Sequence, residues 1–193
     1  MDIILASTSP YRKRLLQRLG LTFHCVPPDI DESPLPAEPP QAMARRLAQA
    51  KAQAIADIHP QALVIGSDQV ASINGRVMGK PGNHAAAASQ LRASSGQAVK
   101  FYTGVALVCS ERQLQRTHVE LFTAHFRRLT DPQINDYLQR EQPFDCAGSF
   151  KAEGLGIALF TGLQGNDPSS LEGLPLIELV ALLQEAGVQV LHG

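Results

Sequence analysis

The chain has 193 residues, 44% of them hydrophobic and 18% charged, with a formal net charge of −1. This is the balance of one globular domain spanning 1–193, not of a disordered tail. With near-zero charge and only 5% aromatic residues, no global field draws the chain to nucleic acid or a membrane surface, so any anion site has to be local.

Asp2–Ala6 (DIILA) reads as a short buried strand. Ser7-Thr8-Ser9-Pro10 follows, then an apolar-periodic stretch from Tyr11 to Leu19 and a stop at Gly20. Serine before a proline at the first helical position, with glycine after the last turn, marks a helix. Phe23–Ile30 reads as a second strand, and Pro34, Pro36, Pro39 and Pro40 rule out regular structure between them. Gln41 to Ile58 is alanine-rich with Leu47, Ala48, Lys51 and Ile55 near helical period, the longest helix expected. Ala62–Gly66 (ALVIG) is a buried strand ending at Ser67-Asp68-Gln69. Asn74-Gly75 signals a hairpin turn, and Gly79-Lys80-Pro81-Gly82 a loop.

Asn83 caps a helix over Ala85–Ala93. Gln97–Cys109 and Gln115–Phe126 read as a long antiparallel hairpin, a surface that can offer a homodimer interface. Thr130-Asp131-Pro132 starts a helix to about Arg140, and Phe144–Phe160 mixes glycine with strand formers. Leu174–Glu185 is the last helix, stopped by Gly187. Strands alternating with helices, plus one antiparallel pair, give an α/β fold with a mixed sheet.

Cys25, Cys109 and Cys146 form neither a disulfide framework nor a zinc pattern, so a reducing compartment is expected. The first residues lack the basic start and length of a signal peptide, and no apolar run reaches the roughly 20 residues of a membrane span. A cytoplasmic protein is expected.

The chemistry concentrates in a few places. A strand-to-helix turn leaves backbone N–H groups unpaired. Those groups, with Ser7 and Ser9, can cradle phosphate oxygens. Arg12, Lys13 and Arg14 stand at the positive end of the same helix, unfavourable unless an anion binds. Asp68 follows an apolar strand, where a carboxylate can hold Mg²⁺ or take a proton from water; Asp31 and Glu32 are similar. Lys51 lies on the inner stripe of its helix, and Lys80 is fixed in a glycine-proline loop. Each feature alone also has an ordinary structural reading: a capped surface helix, a turn-capping aspartate, a solvated acidic loop, an exposed lysine. There is no Walker loop and no Rossmann fingerprint.

Taken in order, the segments LASTSPYRKRLL (5–16), DIDE (29–32), RLAQAKA (46–52), IGSDQV (65–70), GKP (79–81), FYTGVAL (101–107), CAGSFKAEGLG (146–156) and GLPL (173–176) resemble the Maf family, a branch of the ITPase-like nucleotide pyrophosphatases. The resemblance implies an elongated, mixed α/β domain with a substrate cleft between two lobes. It implies hydrolysis of a nucleoside triphosphate to the monophosphate and pyrophosphate, with Mg²⁺ or Mn²⁺. Ser7, Arg12, Glu32, Lys51, Asp68 and Lys80 match the family's catalytic pattern, with Asp68 as base or metal ligand and Glu32 as metal ligand. CAGSFKAEGLG looks like the branch acting on 7-methyl-GTP, whose specificity positions correspond to Tyr11, Gln69 and Glu153. Members of that branch often carry tryptophan where this chain has Tyr11. The alternatives are a dTTP/UTP pyrophosphatase of the same family and a non-enzymatic regulator of septum formation.

Overall fold

The computed structural model describes residues 2–191. β1 (Ile3–Ala6) is apolar at every position because it is buried on both faces. It runs parallel to β2 (His24–Val26) on one side and to β3 (Leu63–Ile73) on the other. The crossovers are α1 (Pro10–Gln17) and α2 (Pro40–Ala56). From β3 onward pairing turns antiparallel, through β5 (Ala98–Cys109) and β6 (Leu114–Phe126) to β7 (Phe160–Gln164). The sheet order is β2-β1-β3-β5-β6-β7, with β4 (Arg76–Met78) folded back on the far end of β3. Asn74 and Gly75 make that turn with φ of 50° and 79°, as the dipeptide predicts.

β3 and β5 are long enough to serve two cores. Near β1, Leu63, Ile65, Val105 and Leu107 pack against Leu15 and Leu16 of α1 and against α5 (Leu176–Glu185). The opposite face carries Val64 and Ala106 against Ala48 and Ala52 of α2. At the far end Ala71, Val99 and Phe101 join a second core. It contains α3 (His84–Ser94), α4 (Asp131–Glu141) and edge-to-face rings, with Phe101–Phe150 at 5.1 Å and Phe126–Phe160 at 4.9 Å. Polar residues Ser67, Asp68 and Gln69 occupy β3 where one core gives way to the other.

The helix signals are borne out locally. Ser9 Oγ accepts from Arg12 N (3.4 Å), Asn83 Oδ1 from Ala86 N (2.9 Å), and Thr130 with Gln133 forms a capping box. Three expectations need correction. The strand expected over Phe23–Ile30 covers only His24–Val26, because Pro27 and Pro28 cannot continue the ladder. The strand expected to stop at Gly66 runs on to Ile73, since each polar side chain of 67–69 finds a partner inside the fold. The glycine-containing stretch 144–159 forms two short 3-10 turns, Ala147–Ser149 and Leu155–Leu159, with Gly148 at φ 78° against the Phe101 ring. Among the described residues no helix is long and apolar enough to cross a membrane.

Candidate active site

The nine residues that match the family's catalytic and specificity positions line one cavity of about 560 Å³: Ser7, Tyr11, Arg12, Glu32, Lys51, Asp68, Gln69, Lys80 and Glu153; Ser9 lines it too, whereas Asp31, Lys13 and Arg14 do not. Six segments bring them there: the β1–α1 turn with the start of α1, α2, mid-β3, and the three loops carrying Glu32, Lys80 and Glu153.

α2 can present Lys51 to the sheet because its backbone lies directly on two glycines. A Cβ at Gly66 would stand 2.2 Å from the Ala48 carbonyl oxygen, and one at Gly104 would stand 2.3 Å from that of Ala44. The alanine stripe of α2 is the complement of this approach. Lys51 is 5% exposed, and its Nζ donates to Asp68 Oδ1 (2.7 Å) and pairs with Glu32 Oε1 (3.0 Å). Asp68 is also buried, and its Oδ2 accepts no hydrogen bond among the described residues. The reading of Asp68 as a strand-end residue is therefore corrected: it sits mid-strand, paired with Gly104 of β5.

Arg12 is fixed from behind. Its Nε donates to the Gly173 carbonyl (2.9 Å), which lies 2.8 Å from Ser67 Oγ as well. Burial lowers the Arg12 guanidinium pKa, while the nearby Asp68 and Glu32 carboxylates act the other way. Ser7 Oγ accepts the Ser9 N–H (3.1 Å) and Ser9 Oγ the Arg12 N–H, so both hydroxyl protons are left to donate. Arg12, Lys51, Lys80 and these hydroxyls make a wall suited to phosphate oxygens.

A second group stands around Tyr11. Arg14 lies over its ring at 4.9 Å and reaches Glu153 Oε1 at 3.8 Å. Asp145, Cys146 and Glu172 also face the cavity. Burial, followed by the charges nearby, raises the Tyr11 hydroxyl pKa, and the Cys146 thiol is pushed up to about 12, chiefly by burial and then by Asp145. Gln69 is oriented by three acceptors: its Nε2 donates to Ser170 O (2.7 Å), Thr103 Oγ1 (3.1 Å) and Leu171 O (3.2 Å), so its Oε1 is the end left for a ligand.

Sequence reasoning did not single out Ser67, Thr103, Gly173 or Glu172. The GLPL segment (173–176) pointed to the neighbourhood, but nothing in the sequence pattern assigns a backbone carbonyl to Arg12. Among the described residues no three His, Cys, Asp or Glu groups cluster to cage a metal. Asp68 and Glu32 nevertheless fit Mg²⁺ or Mn²⁺ in the mode where one or two carboxylates join substrate phosphates and waters.

The family model described as Maf-like protein matches residues 2–186. A Nitrosococcus oceani protein named 7-methyl-GTP pyrophosphatase is 56% identical over 98% of this chain and 95% of its own length. One of the same name from Vibrio vulnificus is 53% identical over 98% and 97%. Among solved structures, the Staphylococcus aureus Ham1 protein superposes with a TM-score of 0.58 at 12% identity, covering 96% of this chain and all of that one. A HAM1 protein from Coxiella burnetii gives 0.54 at 19% identity, covering 96% and 99%. These two likenesses concern the fold.

Proposed function

Because the chain belongs to the Maf family, we propose that it hydrolyses 7-methyl-GTP to 7-methyl-GMP and pyrophosphate, removing a modified nucleotide from the pool. The observation that carries this reading is one cavity lined both by hydroxyl and cationic side chains (Ser7, Arg12, Lys51, Lys80) and by Tyr11, Gln69 and Glu153, which supports taking the first set as the phosphate wall and the second as the base-facing group.

The chemistry follows from that division. Arg12, Lys80 and the Ser7 hydroxyl hold the triphosphate and offset charge building at the α-phosphorus. Asp68 Oδ2, with Oδ1 fixed by Lys51, takes the proton of a water whose oxygen bonds the α-phosphorus. The bond from the α-phosphorus to the bridging oxygen breaks, and pyrophosphate leaves with that oxygen. In the alternative role Asp68 is a metal ligand instead of the base: it and Glu32 would hold Mg²⁺ or Mn²⁺, which would supply further neutralisation of the phosphates and position the water.

Methylation at N7 makes the guanine ring cationic. A cation on the Tyr11 face gains about 0.5–2 kcal/mol. The Arg14 guanidinium over that ring is a cation already accepted there. Glu153 is a carboxylate able to accept from guanine N1–H and the exocyclic amine. Three free cysteines, Cys25 exposed among them, support a reducing compartment and hence the cytoplasm.

The test is pyrophosphate release with Mg²⁺ from 7-methyl-GTP, GTP, dTTP, UTP and CTP. Selective release from 7-methyl-GTP is expected. Preference for dTTP and UTP would keep the phosphate wall and discard the base assignment. No release from any of them would overturn the enzymatic reading.

A further inference from the structure

The turn that carries Glu153 is held by α4, a helix that contributes nothing to the cavity lining. Glu141, the last residue of α4, grips the turn on both sides of Glu153. Its Oε2 accepts the Leu155 N–H at 2.7 Å, and its own carbonyl accepts Lys151 Nζ at 2.8 Å. One turn earlier on the helix, the Tyr137 hydroxyl accepts the Lys151 N–H at 3.1 Å. Gly154 is what admits the carboxylate: a Cβ there would stand 2.7 Å from both Glu141 side-chain oxygens. Apolar contacts complete the seat, with Ala152 and Leu155 packed on the core that holds Ile134, Tyr137 and Leu138.

A carboxylate that receives a backbone N–H makes a charge-assisted bond, stronger than a neutral one. The Glu153 turn has little other regular structure to fix it, since 152–154 lie outside both 3-10 segments. A group that must meet a base edge needs placement to within about 0.5 Å, set by its supporting residues.

We infer that Glu141 is a positioning residue for base selection, acting through the turn 151–155 that carries Glu153. This rests on the reading of Glu153 as the base-facing carboxylate. Glu141 touches no substrate in this scheme.

The experiment compares Glu141→Met, which keeps the bulk and loses the acceptor, with Glu141→Gln, which keeps an acceptor oxygen for Leu155 N–H. For Glu141→Met, KM for 7-methyl-GTP should rise about tenfold with kcat within about twofold, and GTP hydrolysis should hardly change. Glu141→Gln should restore most of the preference. Wild-type preference in Glu141→Met overturns the inference, and so does an equal fall of kcat on both nucleotides. Gly154→Ala displaces the same carboxylate from the other side and should show the same KM change; it stands in if Glu141→Met does not fold.

Hydrogen exchange at the Leu155 amide separates this inference from the functional reading. Faster exchange in Glu141→Met, with no base preference in the wild type, would sink the base assignment and keep the clasp. Unchanged exchange removes the clasp itself.

Discussion

Lys51 Nζ stands 2.7 Å from Asp68 Oδ1, joining the inner face of α2 to the middle of β3. Both side chains are at least nine-tenths buried, so each is the other's main substitute for water. Removing one partner of a fully buried pair costs about 3–5 kcal/mol. Asp68 borders the open cavity, which softens that figure, so Lys51→Met should lose about 2 kcal/mol of stability and at least about 10²-fold in turnover. Urea unfolding and steady-state pyrophosphate release check the two numbers. Unchanged stability would mean the pair is already solvated.

Asp68→Asn separates chemistry from packing. The amide oxygen still accepts from Lys51 and Glu32 remains as the lysine's counter-charge, so the loss of stability should be smaller than in Lys51→Met. The amide cannot take a proton from water, so turnover should fall at least about 10²-fold. Near-normal turnover would remove Asp68 from the reaction.

Glu153→Ala addresses the base alone. The ratio of kcat/KM for 7-methyl-GTP over GTP should fall by about tenfold, while GTP is still hydrolysed. An unchanged ratio would place base reading elsewhere in the cavity.

Gly104→Ala tests how closely α2 sits on the sheet. The new methyl meets the Ala44 carbonyl oxygen at 2.3 Å, against backbone that has no soft direction. Overpacking of this kind costs about 1–3 kcal/mol. The displaced helix also carries Lys51, so turnover should drop although residue 104 does not line the cavity. Thermal melts and turnover on one sample check both effects.

Cys146 offers a pH test. With its pKa pushed up to about 12, the thiol stays protonated at pH 8 and the reactive thiolate is scarce. Iodoacetamide at pH 8 should label the exposed Cys25 well before Cys146. Labelling of Cys146 should climb as pH rises toward 12. Peptide mass spectrometry reads both sites. Early labelling of Cys146 would show that burial does not protect it.

Much of this site was legible because its parts are local. The turn Ser7–Pro10, the cap at Asn83 and the Asn74-Gly75 hairpin are written in neighbouring residues, and all three form as read. Lys51 stood out as a cation on an apolar helical stripe, and the structure pairs it inside the fold. Other features depend on contacts far apart in the chain. β3 looked finished at Gly66 because Ser67, Asp68 and Gln69 break its apolar run. Their partners lie 37 to 106 positions away for Ser67, 17 for Asp68 and up to 102 for Gln69. The hold of Gly173 on Arg12 spans 161 positions and uses a backbone atom, which no side-chain pattern encodes. Around Glu153 the sequence mixes glycine with strand formers, and nothing local shows that α4 will bind the backbone of that turn.

β3 and β5 run unbroken from one core into the other, hydrogen-bonded to each other from Val64 to Ser72. In mechanical terms they are a pair of bonded beams beneath the cavity, with no joint between its two sides. The sides cannot swing as separate leaves, because that would shear a continuous ladder. Any rearrangement at the cavity is therefore expected in segments outside the ladder: residues 27–39 with Glu32, and 79–82 with Lys80.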